Sequence, residues 1–298
     1  MLRSPRRVII GLALLASLAA APARADEADD FDTSWIGARL GIFYRPEMNL
    51  RAKVAGTSVG QPLGLLGSSL DIRDDLGVRQ TVQSDYMFQN GILEGELFFD
   101  TRWSSVSLWA VAPYEYEGKA TLSRTINFGG AQFTASTPVE SRFRQFHVGI
   151  DFKINIINNR WVRLSPVVAA RVLAVDWEVK TLGLKGDTSD IKTPLKYDDA
   201  ALIPYPELGF EVRAGLRKWF EVDLKVTGSY FTYDQIQGST ISIDFGVTAY
   251  PIPFLGVRLG GRYLEYDIRS KDRRDAKDSF DLDLEYLGAT LSIIVRFG

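Results

Sequence analysis

From Phe146 to Ile154 every second residue is apolar. Phe146, Val148, Ile150, Phe152 and Ile154 are separated by His147, Gly149, Asp151 and Lys153. Alternation of this length describes a strand with one apolar and one polar face, whereas a helix would scatter the same residues around its circumference. The period recurs along the chain. It runs through Ile36–Tyr44, Leu93–Phe99, Val106–Tyr114, Val162–Val172, Leu208–Leu216, Phe220–Tyr230, Ile241–Ala249, Leu255–Tyr263 and Leu287–Phe297. Ten strands are expected, most near the roughly 9 to 11 residues a tilted strand needs to cross a bilayer. Strands of water-soluble domains are usually about 5 or 6 residues long.

The connections alternate in length. Tight links are expected at Thr101-Arg102, Asn158-Asn159-Arg160, Arg217-Lys218 and Pro251-Ile252-Pro253. Long polar segments fall near 46–90, 116–141, 176–201 and 268–282, with one short exception at 234–238. Short turns at one end and long loops at the other describe an all-β, closed antiparallel transmembrane barrel, with short periplasmic turns and long extracellular loops. Closure is required because a lipid-exposed strand must pair all its backbone groups. Aromatic positions fit two interfacial girdles: Trp35, Trp103, Trp161, Trp219 and Phe254 below, Tyr44, Tyr114, Tyr230 and Tyr263 above, with Phe297 at the chain end.

Residues 1–25 fit a signal peptide: three arginines, then an apolar run from Val8 to Ala21, then Ala23-Arg24-Ala25. A helix of that run covers about 21 Å, short of a bilayer core of roughly 30 Å. The barrel domain is then 26–298. Without cysteine there is no disulfide framework or thiolate metal site. Thirty-five basic residues against 37 acidic give no nucleic-acid signature.

The last strand reads YLGATLSIIVRFG. In its alternation and in Phe297 the chain resembles bacterial outer-membrane β-barrel proteins, although Gly298 follows the aromatic. The resemblance implies residence in a Gram-negative outer membrane, contact with its lipids and lipopolysaccharide, and recognition of the final strand by the barrel-assembly machinery.

Parity places one set of charges inside. The cations are Arg39, Lys153, Arg163, Arg171, Arg213, Lys225, Arg258, Arg262 and Arg296. The acids are Glu94, Glu96, Asp151, Glu207, Glu211, Glu221, Asp223 and Asp244. A single-sign ring would suggest an ion-selective pore. A near-balanced set predicts cross-lumen pairs and a narrow or plugged interior, since ten strands barely exceed the size that side chains fill.

The lone histidine, His147, raises the question of catalysis. Barrel lipid hydrolases carry His-x-Ser, but here the chain reads His147-Val148-Gly149. Omptin proteases need Asp-x-His, but here it reads Gln145-Phe146-His147. Asp151 lies about 13 Å along the strand, beyond hydrogen-bond reach. His147 is therefore expected in a polar lumen network, and no enzyme or cofactor is expected. The expected role is an envelope or surface protein, with a passive channel for small or apolar solutes as the alternative and a membrane-embedded hydrolase after it.

The loops add little chemistry. DIRDDLG at 71–77 lacks the spacing of a calcium loop, so no metal site is expected. The charged segment 270–281 reads as a solvated face, and Gly129-Gly130 as the tip of a hairpin pairing 121–128 with 132–139. Leu63, Leu65, Leu66 and Leu70, in GQPLGLLGSSL, are expected to cap the rim or line an entry for an apolar ligand.

Overall fold

The structure is a computed structural model that describes residues 34–54, 69–71, 78–80, 91–128, 131–159, 161–182, 196–217, 219–233, 236–270 and 280–297. Residues 1–25, expected as a signal peptide, Leu63, Leu65, Leu66, most of DIRDDLG, residues 271–279 and Gly129-Gly130, expected as a hairpin tip, lie outside them. Ten long antiparallel strands form the wall. They are β1 (Trp35–Val54), β2 (Gly91–Asp100), β3 (Ser104–Thr121), β4 (Pro138–Ile154), β5 (Val162–Thr181), β6 (Lys196–Arg217), β7 (Phe220–Tyr233), β8 (Ile236–Ile252), β9 (Leu255–Ser270) and β10 (Phe280–Phe297). Each pairs with its neighbours in sequence, and β10 pairs with β1 from Ile36↔Phe297 to Val54↔Phe280, which closes the barrel. Short pieces complete the rim: Ser69–Asp71 on β1, Val78–Gln80 on β3, Ile157–Asn158 on β5, and a hairpin of Ile126–Phe128 with Ala131–Phe133.

The apolar parity faces outward. Ile36, Leu40, Leu97, Leu108, Phe152, Val168, Leu208, Phe245, Leu259 and Leu291 are all exposed on the outside. A belt of this kind is stable only against lipid, because water would leave the apolar side chains of ten strands unburied.

The strands run further than the belt. The segments expected as loops at 116–141, 176–201 and 268–282 are strand at both ends, as is 46–54. The reason is an inversion of phase. On β4 the outward residues change from Phe146 to Arg144, Arg142 and Glu140, while Phe143 and Val139 turn inward and are buried. On β5 the outward run becomes Asp176, Glu178 and Lys180, over buried Leu173, Val175, Trp177 and Val179. On β10 it becomes Glu285, Asp283 and Asp281, over Tyr286, Leu284 and Leu282. The changes fall at matched positions on neighbouring strands: Arg144 lies opposite both Asp176 and Glu115, and Glu265 opposite Glu285. Where lipid gives way to water, the hydrophobic effect selects the other face, and the barrel continues as a water-facing one.

Candidate functional site: the lumen

All eighteen residues expected to line the lumen lie on the inward face, and the structure joins most of them into four ion-paired groups. Arg39 pairs with Glu96 at 2.7 Å and Lys153 with Glu211 at 2.6 Å. Asp151 binds Arg171 at 2.9 Å and also Lys225. Glu207 takes Arg171 at 3.3 Å and accepts hydrogen bonds from Thr227 at 2.7 Å and Thr240 at 3.1 Å. Arg258 grips Asp223 at 2.5 Å and Asp244, and Arg262 joins Asp244, at 2.6 Å, to Glu94 across the lumen. Two inward glycines make room for the flat guanidiniums: a Cβ on Gly246 would collide with that of Arg258, and one on Gly149 would lie 2.7 Å from Arg171 Cδ.

Asp100 belongs to the group of Lys153, Glu211 and Arg213 and was not among the expected acids. It accepts Arg213 at 2.8 Å and faces Arg163 at 3.7 Å. Its even parity on β2 matches Glu94 and Glu96, but its place beside the Thr101 turn obscured it. With Asp100 the described lumen holds nine carboxylates and nine cations. Arg296 differs from the rest: its guanidinium lies over the rings of Tyr250 at 3.9 Å and Trp35 at 4.5 Å, and its Nε donates to the Pro253 carbonyl at 3.0 Å.

Above the charges the interior is apolar. Trp109, Tyr116, Phe143, Leu173, Trp177, Tyr205, Tyr266, Leu284 and Tyr286 belong to one buried cluster with Phe43, Ile92 and Phe133. Tyr116 and Trp177 sit in stretches read as polar loops, and most of the others lie close to the ends of those stretches, so the filling did not show as a core. A cavity of about 110 Å³ remains in the charged half, with Trp109, Tyr205 and Tyr266 among its walls.

His147 sits at the border of the two halves. It is 2% exposed. Its Nε2 lies 3.0 Å from Gln145 Oε1 and 3.4 Å from the Tyr114 hydroxyl, and its Nδ1 lies 3.5 Å from the Tyr266 hydroxyl. Its ring stacks on Tyr114, at 6.3 Å between centroids and 10° between planes. Asp151, engaged by Arg171 and Lys225, is no partner of this ring.

Two expected girdle residues point elsewhere. Tyr114 faces the lumen, donating to Gln145 Oε1 at 2.6 Å. A bulge between Val111 and Tyr114 shifts the register and reverses its parity. Trp35 has the inward parity of Arg39 and lies against Arg296. Of the others, Trp103, Trp219, Phe254 and Phe297 are exposed on the outside at the turn end, and Trp161 is half-buried there. Tyr44 and Tyr230 are exposed at the upper end of the belt. Tyr263 is half-buried there and donates to Glu265 at 2.7 Å. Leu70 lies in the short strand paired with β1, opposite Ala52.

No protein-family model matches the sequence, and no curated protein is similar to it. Among solved structures the barrel is similar to the toluene transporter TodX of P. putida, at 9% identity over 95% of this chain and 92% of that one, with a TM-score of 0.32. It is similar to OprG of Pseudomonas aeruginosa at 9% identity, 92% and 98% coverage and a TM-score of 0.31. The transport unit of the autotransporter AIDA-I of Escherichia coli matches at 10% identity, 96% and 97% coverage and a TM-score of 0.35. At such scores the assignment rests on the barrel's own register and lipid belt. A closed ring of ten antiparallel strands, apolar outside at membrane height and ion-paired inside, makes this chain an outer-membrane β-barrel protein.

Proposed function

We propose that this protein is a non-enzymatic component of the Gram-negative outer membrane whose lumen is closed along its axis. Its role is structural or one of surface contact. The observation that carries this reading is the apolar cluster in the upper half of the barrel, from Phe143 and Leu173 to Tyr286, stacked on an ion-paired floor. Water and ions crossing such a core would lose their hydration without replacement. His147 serves as a hydrogen-bonding spacer between the two halves. The outward residues above the belt, among them Arg142 and Arg144, stand at the height of lipopolysaccharide headgroups. Phe297, exposed at the end of β10, supports recognition of that strand by the assembly machinery.

The mature chain, refolded and added to a planar bilayer, is expected to give no steady conductance. Stable single-channel steps would overturn the axial closure and favour a passive channel. Deleting residues 60–70 in the same experiment tests whether that leucine-rich segment acts as a cap.

A further inference from the structure

The wall has a seam. β6 and β7 pair from Arg217↔Phe220 up to Leu208↔Gly228, and there their ladder stops. Both strands continue: β6 rises to Lys196, and Ser229–Tyr233 of β7 stays paired with β8. Among the described residues, no pairing joins β6 and β7 above that point. Two other seams end early, between β1 and β2 and between β2 and β3, but there β2 itself ends at Gly91, and Ser69–Asp71 and Val78–Gln80 pair with the upper parts of β1 and β3.

The sequence at the seam explains the break. β6 reads Leu202-Ile203-Pro204-Tyr205-Pro206-Glu207-Leu208. Proline lacks the N–H a ladder needs and is found on strand edges. The β5 ladder runs unbroken through Val172↔Pro204 and Ala170↔Pro206, which leaves both proline nitrogens on the β7 side. Continuing the register would set Pro206 and Pro204 opposite Tyr230 and Thr232, the pairs that lose their donors.

The seam faces lipid. Leu202 and Leu208 on one lip and Tyr230 on the other are 68%, 65% and 72% exposed, at belt height. An unpaired backbone edge in hydrocarbon is costly, so its retention calls for a use. Just inside, Tyr205 and Phe231 bridge the gap, with ring centroids 5.9 Å apart and planes at 22°. Tyr205 is also a wall of the lumen cavity, beside Glu207, Lys225 and Tyr266.

The geometry points to a lateral port, through which a small amphiphile dissolved in the outer leaflet enters the lumen between β6 and β7. Tyr205 and Phe231 are its gate. An apolar body passes between the aromatic rings. The cavity of about 110 Å³, with charges of both signs, receives a compact polar head. A cavity of about 150 Å³ in a protein core stays dry and takes benzene when apolar groups alone line it. A polar lining of this size therefore suits a head group better than a ring.

The chain has no cysteine, so Ser242→Cys in the cavity wall gives a single thiol. The refolded protein in phosphatidylcholine vesicles is treated with N-hexylmaleimide, which reaches the thiol from the bilayer. A parallel sample receives a charged methanethiosulfonate, which reports any aqueous path. Pro204→Val with Pro206→Thr restores two ladder donors. It is expected to slow the maleimide about tenfold, which is about 1.4 kcal/mol on the opening equilibrium. Phe231→Ala is expected to speed it by a similar factor, and it decides the matter alone if the proline variant does not fold. The charged reagent should respond to neither. A maleimide rate unmoved by the variants that fold, or both reagents changing in parallel, overturns the port. Conductance tests axial closure separately, so the two readings can fail independently.

Discussion

The lower lumen and the upper lumen are built from the same strands, yet they are held by opposite means. Below, Arg258, Arg262, Asp244 and Glu94 satisfy one another across the barrel. Above, Leu173, Phe143 and Tyr286 fill space. The outside decides which inside is possible. Where lipid surrounds the wall, apolar side chains are spent outward, and the inward positions carry charges that need partners. Where water surrounds it, the outward positions take Arg142, Glu117 and Lys180, and the inward ones form a core of the ordinary kind. The two halves should therefore fail differently. A charge that loses its partner strands another charge, whereas an apolar residue that shrinks leaves only a hole.

The largest break should come in the lower half. Arg258→Met leaves Asp223 without its guanidinium partner and Asp244 with Arg262 alone. Removing one member of a buried pair costs about 3–5 kcal/mol, readable as a lower urea midpoint for the refolded barrel. Adding Asp223→Asn should recover a large part of the loss, because the stranded charge is gone. A loss that the second substitution does not reduce would show that packing, not charge pairing, holds this half. In the upper half, Leu173→Ala, at a fully buried position, should cost about 2–4 kcal/mol through lost burial and a residual cavity. No polar second substitution should rescue it. A cost near zero would mean the upper interior is loosely filled and the axial closure is in doubt.

The difference between the halves also governs what the sequence reveals. All ten strands were legible, because their apolar positions keep strict alternation against a uniform solvent, the lipid. Most of the lumen charges follow the same period, whereas Asp100 was hidden by its place beside the turn. The upper core was not legible. Trp177 and Phe143 obey the same period with the phase reversed, and Asp176 and Arg142, seen outward, read as loop. Tyr114 was misplaced by a single bulge, since one inserted residue turns every later side chain around. Trp35 was misplaced because its position at the turn suggested a girdle while its parity pointed inward. The seam carried a clear sign in Pro204-Tyr205-Pro206. Yet prolines in a strand indicate an edge without saying which neighbour is lost, and only the β5 register supplied that.

The smallest test lies on the outer face of the upper half, where the contrast predicts that charges matter least. Glu140 accepts Lys180 at 2.8 Å and Lys119 at 3.2 Å on the water-facing side of β4. The hydrogen bonds from Lys180 and then Lys119 hold its carboxyl below the usual glutamate value of 4.5. A carboxyl depressed in the folded state adds stability that is fully present above that usual value, and loses it as pH falls through the folded one. Both lysines remain open to water, so the pair is worth at most about 1 kcal/mol. Glu140→Gln should therefore lower the urea midpoint slightly at pH 7, and the difference should vanish in acid once the native carboxyl is itself neutral. Salt should shrink the pH 7 difference, because screening acts on exposed pairs. A loss at pH 7 as large as that of Arg258→Met would break the comparison, for it would mean that a charge in water on the upper wall counts as heavily as one enclosed in the lower lumen.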